Sequence, residues 1–124
     1  MDKKVLIVED DKDFLWILRQ SFSSQSFSVV YALDGEEGLA TAVKERPDLI
    51  IMDIMLPKMD GITAAKKIKE QGVNSQIIFL TNFKDVDHIN SVFEAVGETD
   101  YMVKSDIKID AIIKRVKDKL GIKE

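Results

Sequence analysis

The sequence predicts an α/β protein: a doubly wound, five-stranded parallel sheet built from five consecutive β-α units, (βα)5. Three observations carry that reading. Short runs rich in Val and Ile recur five times. The segments between them place apolar residues at helical spacing. Glycines or a proline stand at the joints.

The first run, 5–8, is four aliphatics long and lacks the alternation of a strand wetted on one face. Such runs suit strands covered on both sides. The next segment puts Phe14, Leu15, Leu18 and Phe22 on one stripe, the face of an amphipathic helix. A second strand follows at 28–32, then Gly35 and a stripe of Leu39, Ala42 and Val43 that Pro47 closes. The third run, 49–52, precedes a turn in which Asp60 stands before Gly61 and a new helical pattern, the place of an N-cap. Ile62, Ala65 and Ile68 form that helix's stripe and Gly72 its end. After the fourth run, 77–80, come Ile89, Val92, Phe93 and Val96, closed by Gly97. After the fifth, 101–103, come Ile109, Ile112, Ile113 and Val116. Strands alternating with helices imply right-handed crossovers and helices on both faces of the sheet.

Size and composition bound the function. The 124 residues are read as one domain, 1–124. With 45% hydrophobic and 32% charged residues the chain is globular rather than disordered. A net charge of −4 offers no basic footprint for direct nucleic-acid binding. Without cysteine, neither a disulfide nor a thiolate zinc site can form. The apolar runs fall far short of the ~20 residues that cross a bilayer. The first of them is too short for a signal peptide and is followed at once by acids. A cytoplasmic location without membrane attachment is expected.

In open parallel sheets, ligands bind beyond the carboxyl ends of the strands. Glu9 and Asp10 leave the first strand there, Asp53 the third, Thr81 the fourth and Lys104 the fifth. If the first and third strands are neighbours, three carboxylates converge. Two of them ~4 Å apart repel by about 4 kcal/mol at an effective dielectric of about 20. Such a cluster needs raised pKa values or a cation. A few hard oxygens with room for water suit Mg²⁺. Lys104 adds a second positive charge, and Thr81 a hydroxyl able to hydrogen-bond an anionic oxygen. Taken singly these residues are ordinary, since an acid at a strand end is usually a solvated loop residue or a helix cap. Loop composition or capping gives no reason for acids, hydroxyl and amine to gather at one rim.

VLIVEDD (5–11), DLIIMDIMLPKMDG (48–61), IIFLTN (77–82) and DYMVKS (100–105) resemble, in that order and across essentially the whole chain, the receiver domain of two-component response regulators. The resemblance implies a flavodoxin-like fold with strand order 2-1-3-4-5. It implies that Asp53 takes a phosphoryl group from a phosphohistidine of a sensor histidine kinase or phosphotransfer protein, becoming an acyl phosphate. Glu9 and Asp10 would hold Mg²⁺ with Asp53, and the backbone carbonyl of Met55 would complete the protein ligands. Thr81 matches the hydroxyl that moves to the phosphoryl group, Lys104 its cationic partner and Tyr101 an aromatic switch. The face made by the fourth helix, fifth strand and fifth helix would pass the signal to a target or output domain, and is where a homodimer would form. The receiver would catalyse its own phosphorylation and dephosphorylation, with no separate enzyme activity.

Other functions fit less well. A degenerate receiver that only binds partners would not need the full set from Glu9 to Lys104. A flavin or nucleotide site would need a Gly- or Ser/Thr-rich loop after the first strand, where EDDKDF stands instead and would repel phosphate without a metal. A phosphatase or mutase using an aspartyl phosphate would want a second acid where Met55 is.

The chain also departs from the family pattern. Asn82 replaces the usual small residue, and Ser105 the usual proline after the lysine. Non-proline cis bonds cost about 2.5–4 kcal/mol, so a trans Lys104–Ser105 bond is expected. Gly97, Glu98 and Thr99 stand where Gly-Ala is commoner. Met55 and Phe83, which flank the site, are bulky and apolar and should shield an acyl phosphate from water.

Among the remaining residues, His88 is expected on the solvated surface. Trp16, off the Phe14/Leu18 face, is expected half-buried, with a contact surface as the alternative. Met52, Met55 and Met59 are expected to fill core and loop. The basic last helix is expected to present a solvated face. Asn82 yields a prediction: the Asn82→Ala variant should be phosphorylated faster by small-molecule donors than the wild type, checked by initial rates with acetyl phosphate. A faster wild type would contradict the crowding role of Asn82.

Overall fold

The computed structural model describes residues 2–82, 90, 94, 100–106 and 108–122. The five runs form strands β1 (Lys4–Val8), β2 (Ser28–Ala32), β3 (Leu49–Asp53), β4 (Gln76–Thr81) and β5 (Asp100–Val103). Helices α1 (Lys12–Ser23), α2 (Gly35–Glu45) and α3 (Gly61–Glu70) alternate with them, and a C-terminal helix spans Ile109–Lys119. The expected helical stripe from Ile89 to Val96 lies outside the described residues, as do Phe83, His88 and the stretch 97–99.

The strands are parallel and lie in the order β2-β1-β3-β4-β5, as the resemblance implies. Burial explains the missing alternation. The central strands β1, β3 and β4 are covered on both faces, whereas the edges β2 and β5 are partly exposed. Successive strand residues point to opposite faces. Leu6, Val8, Ile50, Met52 and Phe79 therefore pack with Ala42 of α2 and with Ala64, Ala65 and Ile68 of α3. Val5, Ile7, Leu49, Ile51, Ile78 and Leu80 pack on the other side with Leu15, Leu18 and Phe22 of α1 and with Ile112, Ile113 and Val116.

Aspartate side chains start α1, α2 and α3. Asp11 accepts from the Asp13 and Phe14 N–H groups, Asp34 from Glu37 N–H, and Asp60 from Thr63 N–H at 2.9 Å, as its place before Gly61 predicts. Each cap is worth about 1 kcal/mol. Arg46, at φ 45°, ends α2 as a left-handed cap whose N–H donates to the Ala42 carbonyl, and Pro47 after it cannot continue the helix. No peptide bond among the described residues is cis, so Lys104–Ser105 is trans as expected.

Two expectations need correction. Trp16 is 60% exposed rather than half-buried, because the buried stripe of α1 steps through Leu15, Leu18 and Phe22 and leaves Trp16 turned off it. Met55 is 58% exposed rather than filling the loop, because Ile54 takes the inward position beside it. Met52 is core and Met59 packs against it, as expected.

Phe22 is fully buried and meets Phe27 edge-on, with ring centroids 5.3 Å apart. The Phe22→Ala variant should lose about 3–5 kcal/mol of stability in urea unfolding. A loss below about 1 kcal/mol, within the range of surface changes, would show that this layer is not packed as described.

Candidate functional site

Register brings the acids together. β1 and β3 pair with Val8 opposite Met52, so Glu9 and Asp53, one residue on, leave the sheet at the same level. β4 and β5 pair with Thr81 opposite Val103, so Lys104 exits beside Thr81. Side-chain oxygens of Glu9, Asp10 and Asp53 lie within 4.8 Å of one another. Glu9, Asp53 and Thr81 are buried, while Asp10 is exposed.

Lys104 ties the cluster. Its Nζ donates to Asp53 Oδ2 at 2.9 Å and lies 2.5 Å from Glu9 Oε1. The second contact lacks hydrogen-bond direction, so Glu9 Oε1 is a buried oxygen held by charge alone. Glu9 Oε2 accepts from Asp11 N–H at 3.0 Å, and Asp53 Oδ1 from Met55 N–H at 3.4 Å. The Phe14 ring lies 5.0 Å from Lys104 Nζ, within reach of a cation–π attraction. Phe14 is the residue that sequence reading missed here, since it reads only as one more apolar position on the α1 stripe.

The charges shape one another. Burial pushes the Glu9 carboxyl up from 4.5 to about 7; Lys104 pulls against that shift, Asp53's charge adds to it, and Asp11 N–H opposes it. Burial also works against the Lys104 ammonium, but its close contacts with the negative charges of Glu9 and Asp53 outweigh it and raise its pKa. Three carboxylates against one ammonium leave two negative charges when all are ionised. The donors are hard oxygens, one of them buried without a hydrogen bond. That set fits a divalent cation of the Mg²⁺ type.

The other expected site residues spread outward. Asn82 is exposed just past Thr81. Tyr101 is half-buried on β5 and packs against the core on the α2 and α3 side. Phe83 lies outside the described residues.

The profile of the response regulator receiver domain matches residues 5–117. The chain belongs to this family. The receiver is 36% identical over 118 residues to the alkaline phosphatase synthesis transcriptional regulatory protein PhoP of Bacillus subtilis, covering 94% of this chain and 49% of PhoP. It thus spans about half the length of that regulator. It is 32% identical over 123 residues to sporulation initiation phosphotransferase F of the same organism, covering 99% and 98% of the two chains. Among solved structures it resembles a chain of the CheX–CheY–BeF3–Mg complex of Borrelia burgdorferi, with a TM-score of 0.85 at 28% identity, covering 95% and 89%.

The raised Glu9 pKa sets a pH dependence. Between about 4.5 and 7 the folded state holds a proton that the unfolded chain has lost, so stability falls as pH rises through that window. In EDTA, the urea midpoint should drop across this range in the wild type, and Glu9→Gln should flatten the difference. A wild-type slope that matches the variant's would contradict the assignment.

Proposed function

We propose that the receiver is a phosphorylation switch in which Asp53 accepts a phosphoryl group from a histidine kinase or phosphotransfer protein in a Mg²⁺-dependent reaction. The observation that carries this reading is the half-buried Lys104 ammonium bridging the buried Glu9 and Asp53 carboxylates, with Asp10 at the same rim. A set so complete opposes the reading as a degenerate receiver that only binds partners. The Borrelia burgdorferi relative, solved as a complex with BeF3 and Mg, supports the same chemistry by family likeness.

Asp53 is the nucleophile. One of its oxygens attacks phosphorus as the bond to the donor nitrogen breaks, and the imidazole leaves with the electron pair. The transferred group carries charge on three oxygens, so positioning and neutralisation do most of the catalysis. Lys104, whose nearness to its carboxylates keeps it charged, supplies fixed positive charge at the acceptor. Thr81, at the adjoining strand end, offers a hydroxyl to a phosphoryl oxygen. Glu9, Asp10, Asp53 and the Met55 carbonyl would hold Mg²⁺, which when bound supplies further neutralisation. Met55, Asn82 and Phe83 would tune the rate at which donors and water enter.

Thr81 and Tyr101 would relay the modified state along β5 to the face that includes the C-terminal helix, where partners or a second copy would dock. Residues 1–124 would act as one receiver domain in the cytoplasm, modifying only itself, with its target or output domain elsewhere. No helix among the described residues is long and apolar enough to cross a membrane.

Incubation with Mg²⁺ and acetyl phosphate should add one phosphoryl mass to the wild type and none to Asp53→Ala, read by intact mass spectrometry. Equal labelling of both proteins, or none of either, would refute the assignment.

A further inference from the structure

Gly35 opens α2 against the loop 54–60, more closely than any side chain allows. A Cβ on Gly35 would stand 1.8 Å from the Met59 carbonyl oxygen, whereas real Cβ contacts essentially never fall below 3.0 Å. The Gly35 N–H points to the Pro57 carbonyl at 3.4 Å. Beside it, Asp34 Oδ2 lies 3.6 Å from Lys58 Nζ while its Oδ1 caps α2. Lys58 itself sits at φ 68°, a setting that its surroundings must hold. Three successive loop residues, 57 to 59, are thus seated on the first turn of α2.

The far end of the loop is fixed in the same way. A Cβ on Gly61 would stand 1.9 Å from the Asp53 carbonyl oxygen, and Gly61 N–H donates to Ile54 at 2.8 Å. Between the two clamps, Met55 N–H reaches the Asp53 carboxylate. The loop therefore touches the reacting group, and α2 decides where the loop lies.

We propose that Gly35 is a positioning residue for the cation and the acceptor: by seating 57–59 on α2, it sets the Met55 backbone and the Asp53 carboxylate before either ligand arrives. This rests on the reading of Asp53 as a Mg²⁺-dependent phosphoacceptor. The test is a MgCl2 titration of the full chain followed by backbone amide NMR, in the wild type, Gly35→Ala and Ala42→Gly. Ala42 is buried two turns further along α2, so its replacement weakens the same helix from within the core.

Gly35→Ala should weaken Mg²⁺ binding about tenfold, as losing an outer support of a metal ligand does. It should also shift the amides of 54–60 in the metal-free spectrum, while Ala42→Gly binds as the wild type does. Wild-type affinity in Gly35→Ala, or an equal loss in Ala42→Gly, overturns the proposal and leaves the phosphoacceptor reading intact. A wild type that binds no Mg²⁺ overturns both. Should Gly35→Ala not fold, order parameters of the metal-free wild type decide: values of about 0.85 at 55–60 support a preset loop, and values below about 0.6 overturn it.

Discussion

A carboxylate taken out of water must meet a positive charge or keep a proton, and this receiver buries two of them at one rim. Glu9 is 1% exposed and Asp53 6%, and Lys104 reaches both. Removing one member of a buried ion pair typically costs about 3–5 kcal/mol, because the survivor is left uncompensated. The rest of the architecture serves this triangle. Its members come from three strands, so it exists only when β1, β3 and β5 are all in place.

The sheet order makes the triangle possible. Four crossovers of one hand would stack the strands in sequence if each joined its neighbour, but here the chain turns back after β2 and lays β3 on the other side of β1. Glu9 and Asp53 become neighbours by that reversal, and the loops that leave them diverge to opposite faces. The diverging loops open the space a donor must enter. The aliphatic pairs behind, such as Val8 opposite Met52, leave the acids little freedom to drift apart.

Much of this was legible in the sequence. The aliphatic runs mark buried parallel strands because both faces of the sheet are covered, and the acids, hydroxyl and amine, each ordinary alone, stand out because one rim gathers them all. Asp60 was readable as a cap because the cue is local. Trp16 and Met55 were not, because the side of a helix or loop that meets solvent depends on which neighbour takes the inward place, and Leu15 and Ile54 took it. Phe14 beneath Lys104 was hidden for another reason. Ninety residues separate the two, and nothing in either segment encodes their meeting. The seating of Gly35 on Met59 is likewise a long-range fit between backbones, which a sequence records only as a glycine.

One asymmetry of the sheet has its own meaning. The acids ride on β1 and β3, flanked on both sides, whereas Lys104 rides at the tip of β5, a margin four residues long that is hydrogen-bonded within the sheet to β4 alone. Margins open at lower free energy than the strands they border. If that hem lifts, the anions lose their counter-ion while the frame beneath them stays whole. Loss of the counter-ion and unfolding would then be separate events, with a single short strand as the latch between them.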